Sequence, residues 1–334
     1  MGERKIKVSM VVAQYNRADR IAESIGSALD QDFEDFEVVV VNDGSPDDNV
    51  RVELDKLNND KLVVIHQENT GFVGAVRKAI SASKGEYIAI HGAGDVSLPS
   101  RIRKQADYLD QHQNIGAIGC FYENRIFGKS DASVIQVRTN DRELFTVKDF
   151  EKNPIPYGHG DVMYRKALYD EVGGYRPFFK FAQDHDLWLR MASKADMALY
   201  PEVLYQRGYF EADGIATDMK KLVLQKYLSH FAIQLHNERK LGGKDSLDKI
   251  GPQAAFLRGS DKDLSQYFSW KALSHFYQGD KDMARYLAKL SVKEMISTKS
   301  LVVFALISLG QIELVHKGLT KLMSFHPREK KWRM

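Results

Sequence analysis

The stretch Gly85-Glu86-Tyr87-Ile88-Ala89-Ile90-His91-Gly92-Ala93-Gly94-Asp95-Val96-Ser97-Leu98-Pro99-Ser100-Arg101 decides the fold. Tyr87 to Ile90 is a short apolar run bounded by turn formers, which predicts a buried strand. His91 to Asp95 is a small, flexible, acidic turn, and Pro99 stands where its fixed φ and missing N–H suit the opening of a helix. Strand, acidic turn and helix in that order put Asp95 at the carboxyl end of a sheet strand, where open α/β sheets gather their ligands.

The same unit recurs upstream. Ile6, Val8, Met10 and Val12 predict a first strand ending at Gln14-Tyr15-Asn16-Arg17, and Ile21, Ile25 and Leu29 mark one face of the helix after it. Phe36 to Val41 predicts a second strand that stops at Asn42-Asp43-Gly44-Ser45, and Leu62 to Ile65 a third, followed by a helix with Phe72, Val76, Ala79 and Ile80. Downstream, a helix from Ser100 to His112 carries Ile102, Ala106 and Leu109 on one face, and Ile115 to Phe121 predicts a fifth strand. This alternation implies βαβ units and a mostly parallel sheet. Glu123 to Asn153 is polar and aperiodic, an excursion with room for one or two short strands.

Composition excludes more than it selects. With 334 residues, 43% hydrophobic and 28% charged, the chain has the make-up of a soluble globular protein, and a net charge of +3 gives no field for nucleic acid. Cys120, the single cysteine, lies in the apolar run Ile118-Gly119-Cys120-Phe121 and predicts a buried thiol with no disulfide. Met1-Gly2-Glu3-Arg4-Lys5 leads into a strand without the apolar stretch of a signal peptide, so a cytoplasmic compartment is expected.

From Pro154 onward the motifs sharpen: Gly160 to Leu168, then Val172-Gly173-Gly174-Tyr175, then Gln183-Asp184-His185-Asp186-Leu187-Trp188-Leu189-Arg190, then Pro201 to Tyr205. Together with the central stretch, they resemble the inverting glycosyltransferases of family 2, which have the GT-A fold. In that family a strand ending in Asp-x-Asp-Asp, before a Leu-Pro-x-Arg-like helix start, holds a sugar-nucleotide diphosphate through a divalent metal. Here Gly92 and Gly94 stand at the first two carboxylate positions, and Asp95 remains. The resemblance runs from about Lys5 to Arg207. It implies an α/β GT-A domain at residues 1–212, a mostly parallel sheet flanked by helices, with a C-terminal helical appendage at 213–334.

Site residues follow from the same likeness. Asp184 matches the base, the Asp of a Glu-Asp pair opening a helix, with Gln183 replacing the Glu and Trp188 in the same motif; the competing reading makes Asp184 only a helix N-cap. Asp43 matches a carboxylate that helps hold the nucleoside, against an Asx turn that merely stabilises the loop. Ala13 and Tyr15 belong to the turn whose backbone lies near the base, and Gly94 and Asp95 to the diphosphate turn. An arginine that faces the diphosphate in many relatives falls on Val76, so Arg77 would have to reach from about 100° around the helix, and a solvated basic face competes with that role. For manganese or magnesium, Asp95 is the one metal ligand offered; a metal-independent site using cationic side chains is the other catalytic outcome. The implied partners are a nucleoside-diphosphate sugar and a glycan or glycolipid acceptor of surface-polysaccharide type. The alternative is a scaffold that binds nucleotide sugar without transferring it. A sugar-phosphate nucleotidyltransferase would open with a Gly-rich loop, which Ala13 to Arg17 lacks.

Beyond Asp213 the pattern is helical. Leu224, Leu228, Phe231 and Leu235 form a stripe, and Tyr267 to Tyr277, Gly279-Asp280 and Met283 to Met295 predict a hairpin with Ala272, Phe276, Ala284, Tyr286 and Leu287 at its seam. Leu301 to Leu309 is apolar on all sides, too short to span a bilayer, and precedes Lys317, Lys321, Arg328, Lys330, Lys331, Trp332 and Arg333. This pairing fits peripheral contact with the inner face of a membrane, or a helix core with a solvated basic end.

Overall fold

A computed structural model describes residues 5–127, 134–151, 158–210 and 218–309. Its first half follows the predicted alternation: β1 (Val8–Gln14), α1 (Ile21–Leu29), β2 (Phe36–Asp43), α2 (Asn49–Asp55), β3 (Leu62–Gln67), α3 (Gly71–Ala82) and β4 (Tyr87–Ile90). These strands are parallel in the order β3-β2-β1-β4. Every residue of β2 and β4 is buried, which explains their unbroken apolar runs: helices cover both faces of the sheet. The order reverses direction between β1 and β4, and that switch point opens a crevice at their carboxyl ends.

The second half is less regular. β5 (Val96–Ser97), α4 (Arg101–Gln111), β6 (Ile115–Phe127), β7 (Val134–Arg138), β8 (Leu144–Phe145), α5 (Val147–Phe150), β9 (Met163–Arg165), α6 (Lys166–Glu171), α7 (Gln183–Ala192) and β10 (Asp196–Phe210) follow. Ile102, Ala106 and Leu109 are all buried, the face expected of α4. The predicted fifth strand, however, does not lie beside the fourth. β9 is wedged between β4 and β6, antiparallel to both, with Met163 and Tyr164 wholly buried in the gap. β10 runs parallel to β6, and its register shifts on either side of Val203, just past Pro201, which has no N–H for the ladder.

The chain forms two compact units, residues 1–236 and 237–334. The change in sequence character at 212/213 marks the approach to α8 (Met219–Gly242), yet much of α8 belongs to the first unit. There Phe231 and Leu235 are buried, Ser229 bonds His185 at 2.6 Å and His236 bonds Glu151 at 3.1 Å. Leu224 of the expected stripe is 44% exposed, and Val223 takes the inward position.

The second unit contains α9 (Ser246–Ile250), α10 (Lys262–Tyr277), α11 (Lys281–Glu294) and α12 (Thr298–Leu309). Gly279, at φ +86°, makes the α10–α11 turn, and the Asp280 carboxylate caps α11 by accepting from the Met283 N–H at 3.1 Å. Ala272, Phe276, Ala284 and Leu287 fill the seam as expected, whereas Tyr286 points outward. α12 buries Val303 and Ile307, one turn apart, and leaves Leu301, Val302 and Leu309 about half exposed. Among the described residues no helix is long and apolar enough to cross a membrane. The basic tail from Lys317 to Arg333 lies outside the described residues.

Candidate active site

Three strand-end turns meet at the switch point. After β1, Asn16 and Arg17 both take left-handed backbone angles, φ 56° and 60°, a conformation that costs about 1–3 kcal/mol per residue and persists only where its surroundings enforce it. The enforcement is visible. The Asn16 N–H donates to Ser45 Oγ at 2.9 Å, after β2, and Arg17 Nη1 donates to the Ala93 carbonyl at 2.7 Å, after β4. Ala13 pairs in register with Val41, and Tyr15 projects from the turn, 46% exposed. Gln14 Oε1 and Asn16 Oδ1 are buried acceptors without a hydrogen-bond partner among the described residues.

At the end of β2, Asn42 makes the Asx turn, its Oδ1 accepting from the Ser45 hydroxyl at 2.7 Å and the Ser45 N–H at 3.3 Å. Asp43 is buried, and its Oδ1 accepts from Gln67 Nε2, the Thr70 N–H and the Thr70 hydroxyl at 2.8–3.0 Å. In this structure Asp43 thus ties the loop before α3 to β2. Gly44 is obligatory here, because its φ is +61° and a Cβ would stand 2.5 Å from the Asn69 nitrogen.

The turn after β4 is braced from below. His91 is buried, with Nε2 at 3.0 Å from Ser24 Oγ and Nδ1 at 2.9 Å from Ser97 Oγ, which makes it a packed strand-end residue. Burial, helped by the nearby Arg101 charge, lowers its pKa to about 3. An unfolded histidine takes its proton near pH 6.5, so the fold should lose stability as the pH falls from there towards 3. Urea midpoints measured across that range should drop with acidity in the wild type and drop less steeply in His91→Gln. An identical slope in the two proteins would place the acid sensitivity elsewhere.

Arg101 is the buried centre of this region. Its Nη2 donates to the carbonyls of Ile90 and Gly160 at 2.8 Å, Nη1 to Ser97 Oγ at 2.9 Å and Nε to Gln105 Oε1 at 3.3 Å. The guanidinium also lies 4.6 Å from the Tyr205 ring centre. The Tyr205 hydroxyl accepts from the Gly92 N–H at 2.8 Å and donates to Asp95 Oδ2 at 2.5 Å, while Asp95 Oδ1 accepts from the Gly208 N–H at 2.7 Å. Burial pushes the Asp95 carboxyl above its ordinary value, against these two donors and the nearby Arg207 and Arg17.

The opposite wall is built around α7. Ala182, at φ 55°, is the N-cap residue, so Asp184 lies inside the first turn and not at the cap. Its Oδ1 accepts from the adjacent His185 N–H at 2.9 Å. Beside it lies His159, which sequence reasoning missed; the charges of Asp184 and Arg207 both act on its ring. His159 Nε2 bonds the Tyr175 hydroxyl at 2.6 Å, and its ring meets Phe72 and Trp188 with centroids at 5.2 and 6.2 Å. The one available signal was a histidine between two glycines, Gly158-His159-Gly160, just ahead of a strand. Trp188 is fully buried as the floor of this wall, and Gln183 Oε1 is buried without a hydrogen-bond partner among the described residues. Asp186 anchors the helix through Arg190 at 2.8 Å and through Arg176.

Arg77 is not brought into this group. It is exposed on α3, in a shallow recess with Ile80, Ser81, Tyr169 and Asp170, because Val76 takes the inward position. A hollow of about 1090 Å³ is lined by Ile6, Phe36 and Gly85, and neither Asp95 nor Asp184 borders it. Among the described residues no three His, Cys, Asp or Glu side chains converge as a metal cradle. Asp95 is the one carboxylate of its turn and both its oxygens are engaged, so this turn does not fit the divalent ion implied by the family.

A sheet in this order, with ligand-ready turns after β1, β2 and β4, is that of the GT-A glycosyltransferases, and solved structures share it. Staphylococcus aureus TarS 1–349 in complex with UDP-GlcNAc superposes with a TM-score of 0.56 at 18% identity, covering 92% of each chain. The mannosyltransferase PcManGT from Pyrobaculum calidifontis, in complex with GDP-Man and Mn2+, gives 0.53 at 17% identity over 95% of this chain and 84% of its own. The chain belongs to glycosyl transferase family 2, whose model matches residues 9–182, just over half of it. An uncharacterized glycosyltransferase of Rickettsia prowazekii is 28% identical over 75% of this chain and 80% of its own length. One of Haemophilus influenzae is 27% identical, and there the match covers 59% of this chain and 64% of the relative, a little under two thirds.

Proposed function

We propose that this chain transfers a sugar from a nucleoside diphosphate to a hydroxyl of a glycan or glycolipid acceptor of surface-polysaccharide type, with inversion at the anomeric carbon. The observation that carries the reading is the closeness of two walls: the turn at Gly92 to Asp95, whose Asp95 bonds the Tyr205 hydroxyl, and the His159-Gly160 segment beside α7, where a Cβ on Gly160 would stand 2.4 Å from that same hydroxyl. In the reaction, Asp184 takes the acceptor proton as the acceptor oxygen bonds to the anomeric carbon, and the sugar–phosphate bond breaks with its electron pair leaving on the diphosphate. Gln14 Oε1 and Asn16 Oδ1 are buried acceptors suited to N–H groups of a nucleobase near Ala13 and Tyr15, and Asp43 holds the loop that closes that side. Gln183 Oε1 is a further acceptor, beside Asp184, for a sugar hydroxyl.

The ligands named with the two structural neighbours make UDP-GlcNAc and GDP-mannose the first donors to try. Incubation with each donor and a mixture of lipid-linked and free oligosaccharides should release nucleoside diphosphate in step with a new glycoside, and NMR of the product should show the inverted anomer. Donor binding without turnover over a broad donor panel would favour the scaffold reading, for which the engaged Asp95 speaks.

A further inference from the structure

We infer that the turn from Gly92 to Asp95 receives the donor diphosphate without a divalent ion, with Arg17 and Arg207 supplying the positive charge and Asp95 acting as a brace to β10. This rests on the reading of the chain as a nucleotide-sugar transferase. A magnesium or manganese ion between protein and phosphate is ordinarily held by one or two carboxylates free to turn towards it. The space for a first carboxylate is taken: a Cβ on Gly92 would stand 2.2 Å from Asp95 Oδ2, so the side chain of Asp95 fills the place where another residue would begin. Gly94, at φ +89°, has a backbone that side-chain-bearing residues rarely adopt.

Asp95 itself is committed. Turning its carboxylate out to a metal would abandon the Tyr205 hydroxyl at 2.5 Å and the Gly208 N–H at 2.7 Å, and would leave Tyr205 holding only the Gly92 N–H. Those bonds join a turn and a strand more than a hundred residues apart in sequence, so the carboxylate has a structural task here.

Two cations belong to this turn's surroundings. Arg17 is fixed to the turn by its bond to the Ala93 carbonyl, and Arg207, whose guanidinium bonds Tyr122, directly precedes the Gly208 that holds Asp95. Both act electrostatically on Asp95, and Arg207 also acts on His159. A guanidinium has a permanent charge and a planar fork of N–H groups that fits phosphate oxygens, so two of them match the charge of one divalent ion.

Calorimetry of UDP and GDP with the full chain, in EDTA and again with manganese, tests this. The better nucleotide should bind in both buffers with Kd values within about threefold. Arg17→Gln and Arg207→Gln should each weaken it by about tenfold or more while leaving the nucleoside alone, uridine or guanosine, bound as before. Arg17→Lys and Arg207→Lys keep the charge and should retain more affinity than the glutamine variants, which separates lost charge from a collapsed turn. Manganese tightening the nucleotide by about tenfold or more, or glutamine variants binding like wild type, would overturn the inference while leaving the transferase reading intact. Absence of nucleotide binding in either buffer would remove that reading, and the inference with it.

Discussion

Asp184→Asn abolishes sugar transfer and leaves nucleoside diphosphate binding within about twofold of wild type, because the amide keeps the shape of the side chain but cannot accept the acceptor's proton; the expected fall in kcat is about 10²–10⁴-fold. Stability should hold, since the helix takes its N-cap from Ala182 and the bond that Asp184 accepts from the His185 N–H can be kept by the amide oxygen. Initial-rate kinetics alongside calorimetry decide the matter. A variant that keeps more than about a tenth of wild-type turnover sinks the assignment of the base. A variant that loses nucleotide binding and turnover together would move Asp184 from proton transfer to donor binding.

The largest loss of stability should come from Arg101→Ala. Removing the wholly buried guanidinium strands the carbonyls of Ile90 and Gly160 and Gln105 Oε1, leaves the Ser97 hydroxyl with His91 alone, and takes the cation from beside the Tyr205 ring. Each stranded buried group costs about 1–3 kcal/mol and the cavity adds to it, so a total near 4 kcal/mol is expected after partial relaxation. Arg101→Lys should recover part of this, since an ammonium cannot span the same partners. Urea unfolding monitored by circular dichroism gives the comparison; a loss below about 1 kcal/mol would show that the carbonyls find water and that Arg101 is no keystone. Because Tyr205 bridges Arg101 to Gly92 and Asp95, transfer should fall with stability.

Local pattern carried the first half of the fold well. β1 to β4 and the helices between them show their burial as unbroken apolar runs and their faces as i, i+4 spacing, and Ile21, Ile25, Ala79, Ile80, Ile102 and Ala106 are all buried. The α10–α11 hairpin was legible for the same reason. What local pattern does not encode is adjacency: three residues of β9 enter between β4 and β6 because of where the intervening chain returns, not because of anything in Met163 to Arg165 alone. Phe72 shows the limit at the level of one residue. It reads as a core position of α3 and is instead 41% exposed against His159, at the mouth of the site.

The chemistry divided in the same way. Asp95 and Asp184 were visible because each sits in a continuous motif; Asp95 lies in the turn after β4 and Asp184 in the first turn of α7. Arg101 stood in the quoted stretch, but its task depends on Gly160 and Tyr205, which lie far along the chain. Asp43 reads as a ligand-facing carboxylate, and local pattern does not show that its Oδ1 also accepts three bonds from Gln67 and Thr70. Arg77 sits one step around the helix from the analogous position, Val76, and lies exposed beside Ile80, Ser81, Tyr169 and Asp170, on the solvated face that competed with a phosphate role.

The close fit of Asp95 against Gly92 also imposes an order on change. A designer who wished to rebuild a two-carboxylate turn with Gly92→Asp would bring the new Cβ to 2.2 Å from the existing carboxylate, so Asp95 would have to swing away. That swing sets Tyr205 and the Gly208 amide adrift. The cost arrives with the first substitution, and the benefit appears only once β10 has been resettled. Laboratory selection for metal dependence should therefore recover Gly92→Asp together with compensating replacements on β10 and not by itself.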